Sequence, residues 1–236
     1  MGRVGESVSG LNVEQQLAVR RALSARDYSL VQGLPGTGKT SVVAHVLLVA
    51  WATGMRVLLT AYTHSAVCNV ILRVQSLFPP AKTTTRTMCD RFLDSVIRLG
   101  SREKIHAEVQ PLTTGEVKPI WTAEEIRRWK DNAAVVAVSA LGAGTINGQA
   151  FDLCVVDEAS QITEPTALAP MRLARVALLV GDHQQLPPLI RDERAKEKGM
   201  DVSLFAKLAV SHPQALTVLN KQFRMCAHIQ AAANEL

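Results

Sequence analysis

Eight consecutive residues, Gly33-Leu34-Pro35-Gly36-Thr37-Gly38-Lys39-Thr40, match G-x-x-x-x-G-K-[ST], and the chemistry open to that pattern is the holding of a triphosphate. The glycines let the backbone wrap so that successive N–H groups face the β-phosphate, reinforced by the positive end of the helix that follows. Lys39 then reaches the β- and γ-phosphates, and the Thr40 hydroxyl ligates Mg²⁺. Further segments carry groups that fit the same ligand. Asp157 and Glu158 close an apolar run at 153–156; Asp157 suits the Mg²⁺ shell, and Glu158 the water that attacks the γ-phosphate. Gln185, after Gly181 and Asp182, offers an amide to the γ-phosphate or to that water. Phe223 and Arg224 offer a ring to stack on a base and a cation for charge developing at the γ-phosphate. Gln15 would read an adenine edge, in competition with a capping box it can form with Asn12. Two acids at a strand end, or a Phe beside an Arg, are ordinary surface features by themselves. Their weight comes from occurring together with the phosphate loop.

These groups must be delivered by a scaffold, and the hydrophobic pattern describes one. Val-, Leu- and Ala-rich strand-like runs at 29–32, 56–60, 134–139, 153–157, 176–181 and 216–219 alternate with helical runs. That alternation predicts an α/β fold, a mainly parallel sheet wrapped by helices on both faces. The phosphate loop sits where it should, between the strand at 29–32 and a helix-compatible run at 39–53 closed by Gly54. Residues 79–132, richer in Pro, Thr and charge, read as a small insertion on the one domain, with helices expected at 92–100 and 122–130. A helix is also expected from Met225 onward.

Composition narrows the class. With 236 residues, 47% hydrophobic and 20% charged, the chain can bury a full core, and its formal charge of +5 is compatible with a nucleic-acid partner. The longest apolar stretch, 41–55, is too short to cross a bilayer and contains His45, so no membrane association is expected. The first residues have no apolar signal core, which predicts an intracellular protein. Cys68, Cys89, Cys154 and Cys226 are widely spaced without a C-x-x-C pair and read as reduced thiols.

The blocks, in this order, resemble superfamily 1 helicases of the up-frameshift type from Leu11 to the last residue. Within that group the likeness is most specific to the eukaryotic DNA replication nuclease-helicases, through Leu59-Thr60-Ala61-Tyr62-Thr63-His64-Ser65-Ala66-Val67, through Arg98-Leu99-Gly100 with Lys104-Ile105-His106, and through 181–189. The resemblance implies a three-layer P-loop NTPase of RecA-like type, with residues 1–236 as the first RecA-like helicase domain. It implies Gln15 as the adenine-reading residue, Gly36, Thr37, Gly38, Lys39 and Thr40 as the phosphate cradle, and Asp157 and Glu158 as the hydrolytic pair. Gln185 becomes the phosphate sensor, Phe223 the base-stacking ring and Arg224 the arginine finger. It also implies nucleic-acid contacts in the segment 62–69, where Thr63 and Ser65 would bond backbone phosphates beside Asn69, and a second contact at Ser139. Helix capping is the competing role for these hydroxyls. One departure is Cys68, which stands where the family usually carries an acid. The second RecA-like domain, with its further arginine, and the nuclease domain are absent from these residues. The implied function is an ATP- and Mg²⁺-dependent helicase motor on single-stranded DNA, in the nucleus and partnered by the second RecA-like domain. An RNA helicase, then cytoplasmic, or a non-catalytic nucleotide- or nucleic-acid-binding module are the alternatives.

Overall fold

A computed structural model describes residues 10–78, 87–113, 132–146 and 150–223. Seven strands, β1 (Tyr28–Gly33), β2 (Val57–Ala61), β3 (Val96–Arg98), β4 (Val135–Ser139), β5 (Phe151–Asp157), β6 (Ala174–Gly181) and β7 (Leu216–Leu219), form one sheet in the order β3-β4-β2-β5-β6-β1-β7. Every adjacent pair is parallel. Parallel strands need crossovers, and the crossovers here cover both faces, so the strands read as continuous apolar runs.

Side chains alternate between two cores. Val31, Leu59, Val155 and Val180 face the first, and Leu30, Leu58, Val156 and Leu179 the second. Helices α1 (Val13–Ser24), α2 (Lys39–Ala52) and α3 (His64–Ser76) close the first core. Helix α2 is apolar on nearly every side because it lies between the sheet, α1 and α3; Val42 to Val46 are all buried. The second core is closed by α5 (Glu164–Met171) and α7 (Leu204–Ser211), through Ala167, Leu204, Phe205 and Ala209. Two short helices, α4 (Met88–Leu93) and α6 (Glu193–Glu197), complete the α-helices of the described residues.

The expected strands are all present within about two residues, and the expected helix at 39–53 ends at Ala52, followed by Gly54 at φ 78°. The expected helix at 92–100 is a correction: α4 stops at Leu93, and Val96-Ile97-Arg98 form β3 at the sheet edge. Tertiary pairing with Val135 and Val136 wins over helix propensity, which is poor for β-branched residues. The segment is also less peripheral than its composition suggests, since Phe92, Val96, Ile105 and Val109 join the first core. The helices expected at 122–130 and beyond Met225 lie outside the described residues.

Register aligns the strand ends. Gly33 pairs with Leu219, Gln32 with Gly181, and Ala61 with both Asp157 and Ser139. The strand-end residues singled out for chemistry, Gly33, Asp157 and Ser139 among them, therefore lie along a single edge of the sheet, the carboxyl end of its strands, where ligands bind in open α/β sheets.

Phe92 tests how firmly the 87–113 segment is built into the domain. Its ring is 1% exposed and meets Trp51 edge-on, with centroids 5.5 Å apart. Phe92→Ala should cost about 3–5 kcal/mol in urea unfolding. A loss under about 1 kcal/mol would mean that the segment only rests on the surface.

Candidate nucleotide site

The phosphate loop is held by packing as much as by its own sequence. Gly36 (φ 83°) and Gly38 (φ 86°) adopt the left-handed conformation that a side chain resists. A Cβ on Gly38 would run into the Gln15 amide, and one on Gly33 would strike the Thr37 hydroxyl. Thr37, fully buried, closes the turn by donating its hydroxyl to Leu34 O at 2.8 Å. Helix α2 starts at Gly38 with no side-chain cap, so its first N–H groups remain free for an anion. Lys39 Nζ donates to Gly33 O at 2.6 Å, which fixes the ammonium at the loop and leaves its other donors for phosphate oxygens.

Gln15 has two roles in one amide. Its Oε1 accepts from Asn12 N (3.0 Å) while Asn12 Oδ1 accepts from Gln15 N (2.8 Å), the full capping box. Its Nε2 donates to Thr37 O at 3.0 Å, so this buried side chain ties α1 to the phosphate loop.

Asp157 ends β5 at 4% exposure. Burial first, then the adjacent Glu158 charge, pushes its carboxyl up to about 7, opposed by the Glu158 N–H bond (3.0 Å) and by Lys39. A divalent cation would supply a counter-charge to this carboxylate, and the expected donors, Thr40 and Asp157, both belong to the segments around the phosphate loop. No group of three His, Cys, Asp or Glu side chains gathers among the described residues. Glu158 is the one non-glycine residue at positive φ (53°) among the described residues. Such a conformation costs on the order of 1–3 kcal/mol and persists where surroundings enforce it.

Gln185 is aimed by a residue that sequence reasoning left without a role. Asp182, 1% exposed, accepts from Gln185 Nε2 at 2.5 Å and from Gln184 N at 3.1 Å, while its own N–H donates to Ser160 Oγ at 3.2 Å. A buried carboxylate directly after a strand was the available signal. Phe223 is 58% exposed, its N–H bonded to Gly36 O at 2.9 Å and its ring 5.5 Å from Lys221 Nζ. Gly36, Gly38, Lys39, Thr40, Glu158, Gln185 and Phe223 all line one cleft of about 600 Å³. Arg73, also unforeseen, reaches the same cleft from α3 and donates from Nε to Ser41 Oγ at 3.1 Å. Arg224 lies outside the described residues.

The candidate nucleic-acid residues lie farther along the same edge. Thr63 caps α3, its hydroxyl accepting from Ala66 N at 3.1 Å, yet it stays exposed, as do Ser65 and Asn69. Ser139 is 8% exposed and leads into a 3₁₀ turn without a side-chain cap bond.

A family profile described as AAA domain matches residues 10–133 and 122–193. The DNA replication ATP-dependent helicase/nuclease JHS1 of Arabidopsis thaliana is 37% identical over 232 residues, an alignment that covers 98% of this chain and 16% of that protein. The corresponding helicase/nuclease DNA2 of Xenopus laevis is 37% identical over 238 residues, covering 99% and 21%, and that of Homo sapiens 36% over 234 residues, covering 97% and 21%. The chain thus spans between 16% and 21% of the length of these curated relatives. A solved structure of two Pif1 helicases at forked double-stranded DNA aligns with 95% of this chain and 47% of its own at a TM-score of 0.49 and 14% identity.

The raised Asp157 carboxyl makes a pH prediction for the protein in EDTA, free of nucleotide. Because the folded state holds this proton more tightly than the unfolded state does, the group's favourable contribution is complete below about pH 4 and is lost as pH rises through about 7. Asp157→Asn should remove that slope and unfold at a higher temperature than the parent at pH 8, by an amount on the order of 4 kcal/mol if the whole shift is expressed. Parallel melting curves of parent and variant from pH 5 to 8 would contradict the assignment.

Proposed function

This chain belongs to the AAA domain family of superfamily 1 helicases, and on that premise we propose that it is the first motor lobe of an ATP-dependent DNA helicase, acting on single-stranded DNA. The observation that carries the proposal is the cleft itself. A phosphate loop, the Glu158 carboxylate just after β5, a braced glutamine and an exposed ring from four separate segments border one space of about 600 Å³.

In this reading the loop N–H groups and Lys39 bind the phosphates, and Phe223 stacks on the base. Thr40 and Asp157 hold Mg²⁺, which neutralises charge on the phosphates when bound. Glu158 accepts a proton from the attacking water, whose position Gln185 fixes from its bond to Asp182. Arg224 adds a cation at the γ-phosphate, and a second RecA-like lobe of the longer protein adds another. Thr63, Ser65, Asn69 and Ser139 contact the strand backbone, which is compatible with RNA as well as DNA. ATPase assays with single-stranded DNA and RNA in parallel separate those two substrates. Among the described residues no helix is long and apolar enough to cross a membrane, and we place the protein in the nucleus by analogy with its replication relatives.

Two substitutions separate binding from chemistry. Lys39→Ala should abolish MgATP binding, because it removes the ammonium that the loop holds at Gly33 O, while Arg73 reaches the cleft from α3. Glu158→Gln should retain binding and lose turnover by a factor of about 10² or more. Equal loss of binding in both variants would make Glu158 structural.

A third prediction concerns the lobe alone. An arginine supplied across a cleft is worth about 10³–10⁵ in rate, so the isolated chain should bind ATP, hydrolyse it slowly and fail to displace a strand. Strand displacement should appear only when the chain continues into the next lobe. Robust unwinding by these 236 residues would refute the half-motor reading.

A further inference from the structure

Arg98 ends β3 with no exposed surface, the largest fully buried side chain described. Removing a guanidinium from water costs several kcal/mol unless its charge and donors are answered. No carboxylate answers this one among the described residues. Nη1 donates to Leu99 O and to Ala137 O (3.2 Å), Nη2 donates to His64 Nδ1 (2.9 Å), and Nε has no partner.

The placement of these partners is informative. His64 opens α3 and is flanked by Thr63 and Ser65. Ala137 lies in β4, two residues before Ser139. One buried cation therefore joins the two segments that carry the proposed backbone contacts. Gly100 presses the junction together: at φ 142°, a Cβ there would come within 2.8 Å of His64 Cε1 and 3.5 Å of Arg98 Nη1. Since arginine has donors only, His64 must accept at Nδ1 and carry its proton on Nε2. Burial, then Arg98 from β3 and Lys104 from the following turn, hold the His64 pKa below its ordinary value; on its own helix Cys68 lies one turn on, and Arg73, farther along, donates to Ser41 and Ser76.

We propose that Arg98 is a positioning residue for nucleic-acid binding: by locking a neutral His64 to the ends of β3 and β4, it fixes the spacing of Thr63 and Ser65 relative to Ser139 so that both segments meet one strand. The inference rests on the single-strand-binding reading above. Arg98 itself touches no phosphate. Its contribution is to hold the hydroxyls in place before the strand arrives, which reduces the ordering cost of binding.

The test uses the full-length protein and reads stimulation of ATP turnover by a single-stranded oligothymidylate, at pH 6 and pH 8. Arg98→Met should raise the half-maximal DNA concentration about tenfold at pH 8 while the KM for ATP stays within about twofold. With the guanidinium gone, His64 becomes free to protonate, so DNA stimulation should become pH-dependent in Arg98→Met and stay flat in the parent and in Arg98→Met/His64→Gln. Arg98→Lys keeps the charge beside His64 and should keep the flat profile. Unchanged DNA stimulation in Arg98→Met, or a loss of ATP and DNA affinity together with no new pH dependence, would overturn the proposal. If Arg98→Met does not fold, His64→Leu breaks the same link from the other side and should give the same tenfold loss. Failure of the underlying reading looks different: Thr63→Ala/Ser65→Ala would leave DNA stimulation unchanged.

Discussion

The site depends first on the burial of β1 between β6 and β7. Parallel pairing on both sides fixes the height at which Gly33 leaves the sheet, and the turn that follows has no spare volume. The Thr37 hydroxyl occupies the space a Gly33 side chain would need, Gln15 occupies the space beside Gly38, and Phe223 N–H anchors Gly36 from the far end of the chain. Packing thus fixes the turn of this loop independently of any ligand. Donors that need no reorganisation are worth more to a charged ligand than donors that must be gathered.

The same edge of the sheet buries three ionisable side chains: Asp157 at 4% exposure, Asp182 at 1% and Arg98 at 0%. A domain with a net stability of about 5–15 kcal/mol gains nothing by retaining buried charges that apolar residues of similar size could replace. Each is answered in a different way. Asp182 spends its oxygens on Gln184 and Gln185, so its charge becomes the orientation of an amide. Arg98 spends its donors on carbonyls and His64, so its charge becomes a fixed spacing between segments. Asp157 accepts, among the described residues, the neighbouring Glu158 N–H, and burial followed by the Glu158 charge holds its pKa well above the usual carboxylate range. Of the three, it is the one suited to meet a cation.

Legibility in the sequence followed the range of the interactions involved. The phosphate loop was legible because eight contiguous residues encode its turn, and the strand ends because a fully buried parallel strand is a continuous apolar run. β3 was not, since three residues at a sheet edge carry no period of their own, and Val96 and Ile97 become a strand only through Val135 and Val136. The bond from Gln15 to Thr37 spans 22 positions and that from Arg98 to Ala137 spans 39, so neither leaves a local signal. Asp182 was visible as a residue, but its role depends on the turn that brings Gln185 back beside it.

The exposed surface beside the cleft bears on how such a lobe would work within a longer protein. Leu186 and Leu189, in the turn after Gln185, are 76% and 74% exposed, and Phe223 is 58% exposed at the cleft itself. Scattered apolar residues on a surface are ordinary, but these lie on the two segments that carry Gln185 and Phe223, the proposed sensor and stacking residues. In the proposed two-lobe motor, closure of a second lobe over this side would bury them when the nucleotide is present, and hydrolysis would release that contact. Binding energy at the γ-phosphate would then be transmitted through Gln185 and its turn to the interface, while the contacts at Thr63 and Ser139, anchored separately by Arg98, keep their spacing. If the proposed strand contacts are held together by Arg98 while the turn after Gln185 stays exposed, such a lobe would move as a unit against a partner, which is the mechanical requirement for stepping.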